Sequence, residues 1–202
     1  RKRRPIDCLT REQVSDRALL RVFDAVHPGV LGQDELLVRR VALVFGVDDA
    51  VRVAHHPSLV MGSTMTMEAW INPGISANTL NMIVNKEGEY ELALFSDGSL
   101  NFAIAEGGSW SWRATGATIA RNEWTHVAVT YDAGVVTTYV DGALVSSVGL
   151  STTTIGDVYP AMNDLLIGGR TNNPARQYFE GRIADVRIWN TARSQGEIVG
   201  AM

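Results

Sequence analysis

The stretch Trp124-Thr125-His126-Val127-Ala128-Val129-Thr130-Tyr131-Asp132-Ala133-Gly134-Val135-Val136-Thr137-Thr138-Tyr139-Val140-Asp141-Gly142 decides the fold class. Two runs of β-branched and aromatic residues, 125–131 and 135–140, are separated by Asp132-Ala133-Gly134 and followed by Asp141-Gly142. Glycine after aspartate supplies the positive φ that tight hairpins require, so these runs are expected to be strands joined by turns. The same texture extends outward on both sides. Residues 64–71, 90–95, 100–104 and 183–189 carry strand-forming side chains, and Asp97-Gly98 and Gly107-Gly108 mark further turns. Many short strands without long intervening helices predict an all-β, two-sheet antiparallel sandwich of the jelly-roll kind. No internal repeat suggests a propeller or solenoid.

The first forty residues have a different composition. They hold nine Lys/Arg against six Asp/Glu, a balance of +3, whereas the remainder holds nine against sixteen, a balance of −7. Thr10 and Gln13 have capping-box spacing, Val14, Ala18, Val22 and Val26 form a stripe at helical period, and His27-Pro28-Gly29 would end it. Residues 1–40 are therefore predicted to be a basic helical arm or linker, and residues 41–202 the sandwich. Residues 34–40 read as a further helical turn or a linker, and Val41–Val47 as a buried strand. The arm's apolar stripe needs a cover, either the sandwich or another protein, and in the second case the arm would dock the chain into a larger assembly.

Charge and cysteine usage exclude several function classes. An acidic body is repelled by phosphate, so no nucleic-acid partner is expected, and only Arg1-Lys2-Arg3-Arg4 offers an anionic partner a basic cluster. The longest apolar run, Val41–Val47, is too short for a membrane span. Cys8 is the single cysteine, which excludes an intrachain disulfide and a multi-thiolate metal site. Because the chain opens on Arg1, its natural beginning is expected upstream, and composition leaves localisation open.

Several motifs occur together in one order: Phe45-Gly46-Val47-Asp48-Asp49-Ala50-Val51, Met67-Glu68-Ala69-Trp70-Ile71-Asn72-Pro73, Trp124 to Asp132, Tyr139-Val140-Asp141-Gly142, Leu166-Ile167-Gly168-Gly169 and Phe179 to Asn190. Over roughly residues 41–200 this order resembles the laminin G-like, pentraxin-related family of jelly rolls. The resemblance implies a concanavalin A-like sandwich that serves mainly as an accessory module binding glycans or proteins, in an extracellular or cell-surface setting. It also implies a possible structural Ca²⁺ site, with Asp48, Asp49 and Asp185 at the matching positions, although turn-capping by aspartate explains the first two equally well.

Candidate sites follow from residue chemistry. Trp110 and Trp112 stand two apart and are expected to project from one strand face, where indoles stack on apolar sugar faces and Glu106, Asn101 and Arg113 hydrogen-bond hydroxyls. The competing reading packs one or both rings inside. Trp70 and Trp189 are expected in the core and His126 as a structural histidine, while His55-His56 before Pro57 reads as a surface turn rather than a metal site. Glu87-Gly88-Glu89-Tyr90-Glu91 resembles the carboxylate row of a glycoside hydrolase, but Gly88 falls at a turn and the row lacks a central aspartate. No nucleophile elbow, zinc-protease helix or phosphate loop is present. The reading is a non-catalytic recognition module for a glycan or protein ligand. Its alternatives are an assembly subunit docked through residues 1–40 and, last, a glycoside hydrolase.

Overall fold

The computed structural model describes residues 36–39, 49–76, 78–170 and 177–202. The helical arm expected before residue 36 and the strand expected at 41–47 lie outside these residues. Among the described residues no helix is long and apolar enough to cross a membrane.

Among the described residues, twelve strands form two six-stranded antiparallel sheets. The first orders β1 (Leu36–Arg39), β12 (Gly181–Trp189), β3 (Thr64–Pro73), β8 (Thr125–Asp132), β9 (Val135–Val140) and β10 (Ala143–Gly149). The second orders β2 (Val51–Val53), β11 (Leu165–Ile167), β4 (Leu80–Lys86), β5 (Tyr90–Phe95), β6 (Ser99–Ile104) and β7 (Trp112–Thr118). The sandwich expected from the strand runs is thus present, and all six runs are strands. The Asp141-Gly142 turn after β9 has positive φ at both residues, 48° and 74°, which is the backbone a two-residue hairpin demands. Residues 36–39 differ from the expected helical turn or linker: Leu36-Leu37-Val38-Arg39 pairs antiparallel with β12, Leu36 opposite Trp189. An unpaired edge on β12 outweighs the weak helical pattern of this short apolar run.

The core lies between the sheets and is built by strand alternation. Met65, Met67, Ala69 and Ile71 of β3 face Tyr90, Leu92, Leu94 and Phe102 of the second sheet in one buried cluster. Each such side chain contributes roughly 1.5–3 kcal/mol on burial. Polar groups that enter this core find acceptors: the Tyr90 hydroxyl donates to the Leu59 carbonyl at 2.9 Å and the Tyr131 hydroxyl to the Thr152 carbonyl at 3.0 Å.

Trp70 and Trp189 are not core residues. Both are half-buried on the outer face of the first sheet, because β3 presents Thr66, Glu68 and Trp70 on the parity opposite to Met65 and Met67. Trp70 packs edge-on against His126, with centroids 5.3 Å apart. Trp189 donates its indole N–H to buried Glu68 at 2.8 Å and carries the Arg193 guanidinium on its ring at 3.9 Å. The short helix α1 (Gln195–Ala201) closes this face, its Ile198 packing on Ala128 and Tyr139. Ser194 and Glu197 form its capping box.

Candidate functional site

The β4–β5 turn carries Glu87 and Glu89, and β5 carries Glu91. Gly88 has φ of +74° and packs so closely on Tyr159 that a Cβ would lie 2.6 Å from its ring, so the chain turns at 87–89 and breaks the carboxylate row, as the glycine suggested. Glu89 is directed to one side, where it is buried against Lys86, whose ammonium also donates to the Asn163 carbonyl at 3.0 Å. Burial pushes the Glu89 carboxyl above its ordinary value although Lys86 opposes this.

Glu87 and Glu91 share the outer side of the second sheet and are fully buried. Arg170 donates to both oxygens of Glu87 at 2.7 Å, and one of the same nitrogens lies 3.8 Å from Glu91. The guanidinium therefore stands between the two carboxyls, where a sugar or an attacking water would have to enter. Gln177 accepts from Arg170 at 3.1 Å and Asn85 donates to Glu87 at 3.2 Å, completing the cluster. Burial pushes the Glu91 carboxyl up to about 8 despite the neighbouring Arg170, so near neutrality it holds a proton.

Trp110 roofs this cluster. The Arg170 guanidinium carbon is 5.0 Å from its ring centroid, a cation–π contact made from beneath. Trp110 and Trp112 meet edge to face, centroids 5.5 Å apart and planes at 76°, and Trp112 meets Phe95 in the same way at 5.8 Å. The two indoles are thus brought together on one side of the second sheet, both half-buried. Trp112 rests on Leu80, Met82 and Ala93, a small apolar cluster separate from the main core. Each ring therefore divides its surface between packing and solvent.

Arg113 and Glu106 pair on the other side of β7, because Arg113 lies opposite the core residue Phe102 and so on the parity opposite Trp112. Arg113 Nε donates to Glu106 at 3.1 Å, while Ser151 donates its backbone N–H and its hydroxyl to the other carboxylate oxygen, each at 2.8 Å. Partial desolvation would raise the Glu106 carboxyl, but the Ser151 bonds and Arg113 outweigh it and hold the group below its ordinary value. Gly107, Gly108, Ser109 and Ser111 are exposed around them. Asn101 shares the outer face with Trp112 but is shut from solvent. It is buried in β6 opposite Ala93 and Ala114, its amide donating to the Ser99 carbonyl and hydroxyl at 3.1 and 3.0 Å.

Of the three aspartates expected at a calcium site, two fall among the described residues. Asp48 lies outside the described residues, Asp49 is half-buried ahead of β2, and Asp185 is paired with Arg187. Among the described residues no three His, Cys, Asp or Glu side chains gather where an ion would be held. His56 caps the turn Pro57–Leu59 by accepting from the Ser58 N–H at 3.3 Å, and His55 is tied to Asp164 through its backbone N–H at 2.8 Å, so the pair is a surface turn.

Sequence reasoning did not find Arg170. It is 83 residues from Glu87 and follows Gly168-Gly169, which drew attention only as a family motif.

Comparison with known proteins fits this geometry. A family model described as the concanavalin A-like lectin/glucanases superfamily, of laminin G type, matches residues 45–199. Mouse (Mus musculus) pappalysin-1 is 32% identical over 84 residues, which are 40% of this chain and 5% of that protein, so the chain spans a small fraction of this relative's length. Domain 4 of AbnA, an extracellular GH43 arabinanase from Geobacillus stearothermophilus solved with arabinotriose, superposes with a TM-score of 0.56 at 22% identity, covering 75% of this chain and 71% of that one. The heptameric SAP-like pentraxin of Limulus polyphemus superposes with a TM-score of 0.58 at 16% identity, covering 80% of each chain.

Proposed function

The chain belongs to the laminin G-type branch of the concanavalin A-like lectin/glucanases superfamily, and from that premise we propose that it is a non-catalytic recognition module that binds a glycan at the Trp110–Trp112 rim. The observation that carries the reading is the position of the two indoles. They are fixed from below by Arg170 and by the Leu80–Met82–Ala93 cluster while keeping part of each ring in solvent. Rigid aromatic surface at low entropic cost suits the apolar face of a sugar ring. The sugar bound by the AbnA domain lends this ligand class support.

The carboxylates favour binding over hydrolysis. Both families of glycosidase chemistry need a general acid and a partner carboxylate open to the glycosidic bond. Here Glu87 is neutralised by Arg170, and Glu89 and Glu91 are shut from solvent. A glycan array probed with the full 202-residue chain tests the proposal, together with turnover assays on whatever oligosaccharide is retained. Retention without cleavage supports it, and cleavage overturns it.

A further inference from the structure

Tyr159 presents a fixed aromatic ring to solvent from the loop between β10 and β11, with 38% of its surface exposed. Backbone hydrogen bonds pin this loop to the end of the second sheet: Gly156 N–H donates to the Ala105 carbonyl at 3.3 Å and Val158 N–H to the Gly88 carbonyl at 3.0 Å. On either side of the ring, Tyr159 N–H donates to Asp157 Oδ1 at 2.9 Å and Met162 N–H to the Tyr159 carbonyl at 2.8 Å. The ring lies on Gly88, where a Cβ would come within 2.6 Å of it and within 2.9 Å of the Tyr159 nitrogen. An exposed aromatic residue whose backbone is already ordered loses little entropy when a ligand stacks on it.

The same end of the sheet carries Trp110. Strands β4, β5, β6 and β7 are successive antiparallel neighbours, so the β4–β5 turn and the β6–β7 hairpin emerge together there. Paired backbone hydrogen bonds between Glu106 and Ser109 close that hairpin, one residue beyond Ala105 and one before Trp110. From Tyr159 to Trp110 the contacts are unbroken: the phenol ring meets Gly88, Gly88 N–H donates to Glu91 at 3.4 Å, Glu91 lies 3.8 Å from Arg170, and Arg170 is 5.0 Å from the Trp110 ring. The backbones that carry the two rings are nevertheless about two strand spacings apart, roughly 10 Å. Trp112 adds a third ring, 5.5 Å from Trp110.

We infer that Tyr159 is a third sugar-binding residue, and that the ligand is an oligosaccharide chain laid from Trp112 and Trp110 across to Tyr159 rather than a single terminal sugar. The inference rests on the glycan reading of the rim and extends it to a ligand length. One sugar ring is about as wide as one strand spacing, so it covers Trp110 or Tyr159 but not both. Three or more consecutive rings occupy Trp112, Trp110 and Tyr159 together. Each added ring then gains an aromatic surface that the fold has already positioned, so affinity rises with chain length until Tyr159 is covered.

An array of arabino-, xylo-, gluco- and galacto-oligosaccharides of one to six units, probed with the full chain and followed by calorimetric titration of a retained series, tests this. The wild type is expected to bind the tetrasaccharide at least about tenfold more tightly than the disaccharide. Tyr159→Leu still packs on Gly88 but has no flat aromatic face, and is expected to bind the disaccharide like the wild type while losing the gain on the tetrasaccharide. Tyr159→Phe is expected to keep that gain. A wild type that retains no glycan overturns the rim reading and this inference with it. A wild type that retains glycans but binds both lengths alike, or a Tyr159→Leu protein that keeps the gain or loses the disaccharide as well, overturns this inference alone.

Discussion

Arg170 holds Glu87 through two 2.7 Å hydrogen bonds, and the guanidinium so fixed is the surface on which Trp110 rests 5.0 Å away. The buried ion pair thus acts at a distance from itself: it sets the height and orientation of an aromatic ring at the rim. Replacing Arg170 by Ala removes the two-pronged cationic partner of the buried Glu87 carboxylate, a loss of about 3–5 kcal/mol in unfolding free energy. Arg170→Lys restores charge but not the two-pronged geometry and is expected to recover only part of it. Urea denaturation measures both, and a loss below about 1 kcal/mol for Arg170→Ala would show that the pair is not held as described.

Glu91 makes stability depend on pH in an unusual direction. Its folded value of about 8 lies above its ordinary 4.5, so between these limits the native state keeps a proton that the unfolded chain releases. This group's contribution is complete below about pH 4.5 and is lost as pH rises towards 8, with a slope approaching about 1.4 kcal/mol per pH unit. Glu91→Gln, which keeps a neutral side chain of the same shape, is expected to flatten the wild-type decline over that window in denaturation series. An equal slope in both proteins would place the proton elsewhere.

Glu68 works with the opposite sign. Its burial would raise the carboxyl, but hydrogen bonds with His126 and Trp189 and the charge of Arg187 outweigh this and lower it below the ordinary value. Its contribution is present above the ordinary carboxylate value and is lost as pH falls through the lower folded one. Glu68→Gln should therefore be less stable than the wild type at pH 7, with the difference narrowing in acid. The Trp189 indole reports on the same site, since its N–H donates to Glu68 at 2.8 Å, and its emission should shift in the variant. A stability difference that does not change with pH would contradict an ionised Glu68.

The two rim tryptophans are expected to separate in stability. Trp112 lies on Leu80, Met82 and Ala93 and against Phe95, so Trp112→Ala should cost about 2 kcal/mol, less than the roughly 3–5 of a fully buried ring. Trp110→Ala removes a ring whose described underside contact is a guanidinium and should cost about 1 kcal/mol. Thermal melts decide the order, and a larger loss at Trp110 would reverse the assignment of which ring supports the other.

Much of the sandwich was legible because its central strands alternate. Residues 125–131 and 135–140 declare both period and turn, and β5 and β9 have the bounds their composition suggested. The strands β2, β4, β10 and β11 were not among the expected runs, since three apolar residues, an exposed run such as Ala143-Leu144-Val145-Ser146-Ser147, or a run buried on both faces such as Leu80–Lys86 carries little period-2 signal. Trp70 was misplaced by its size. Its parity partners Thr66, Glu68 and Asn72 are polar, and that alternation already put it on the outer face. The indoles at 110 and 112 do meet, but not as two residues of one strand, since Trp110 precedes β7; and Arg113, expected beside them, lies on the parity opposite Trp112. Arg170 was out of reach, because nothing local to it points to a carboxylate 83 residues earlier.

Calorimetric titration of the glycan retained on an array into the wild type and into Trp110→Ala, with melting followed in both, bears most directly on recognition at the rim. The expected result is saturable heat with the wild type, its loss in Trp110→Ala at a nearly unchanged melting temperature, and no cleaved product. Unaltered binding by Trp110→Ala, or no glycan retained by the wild type at all, would contradict it.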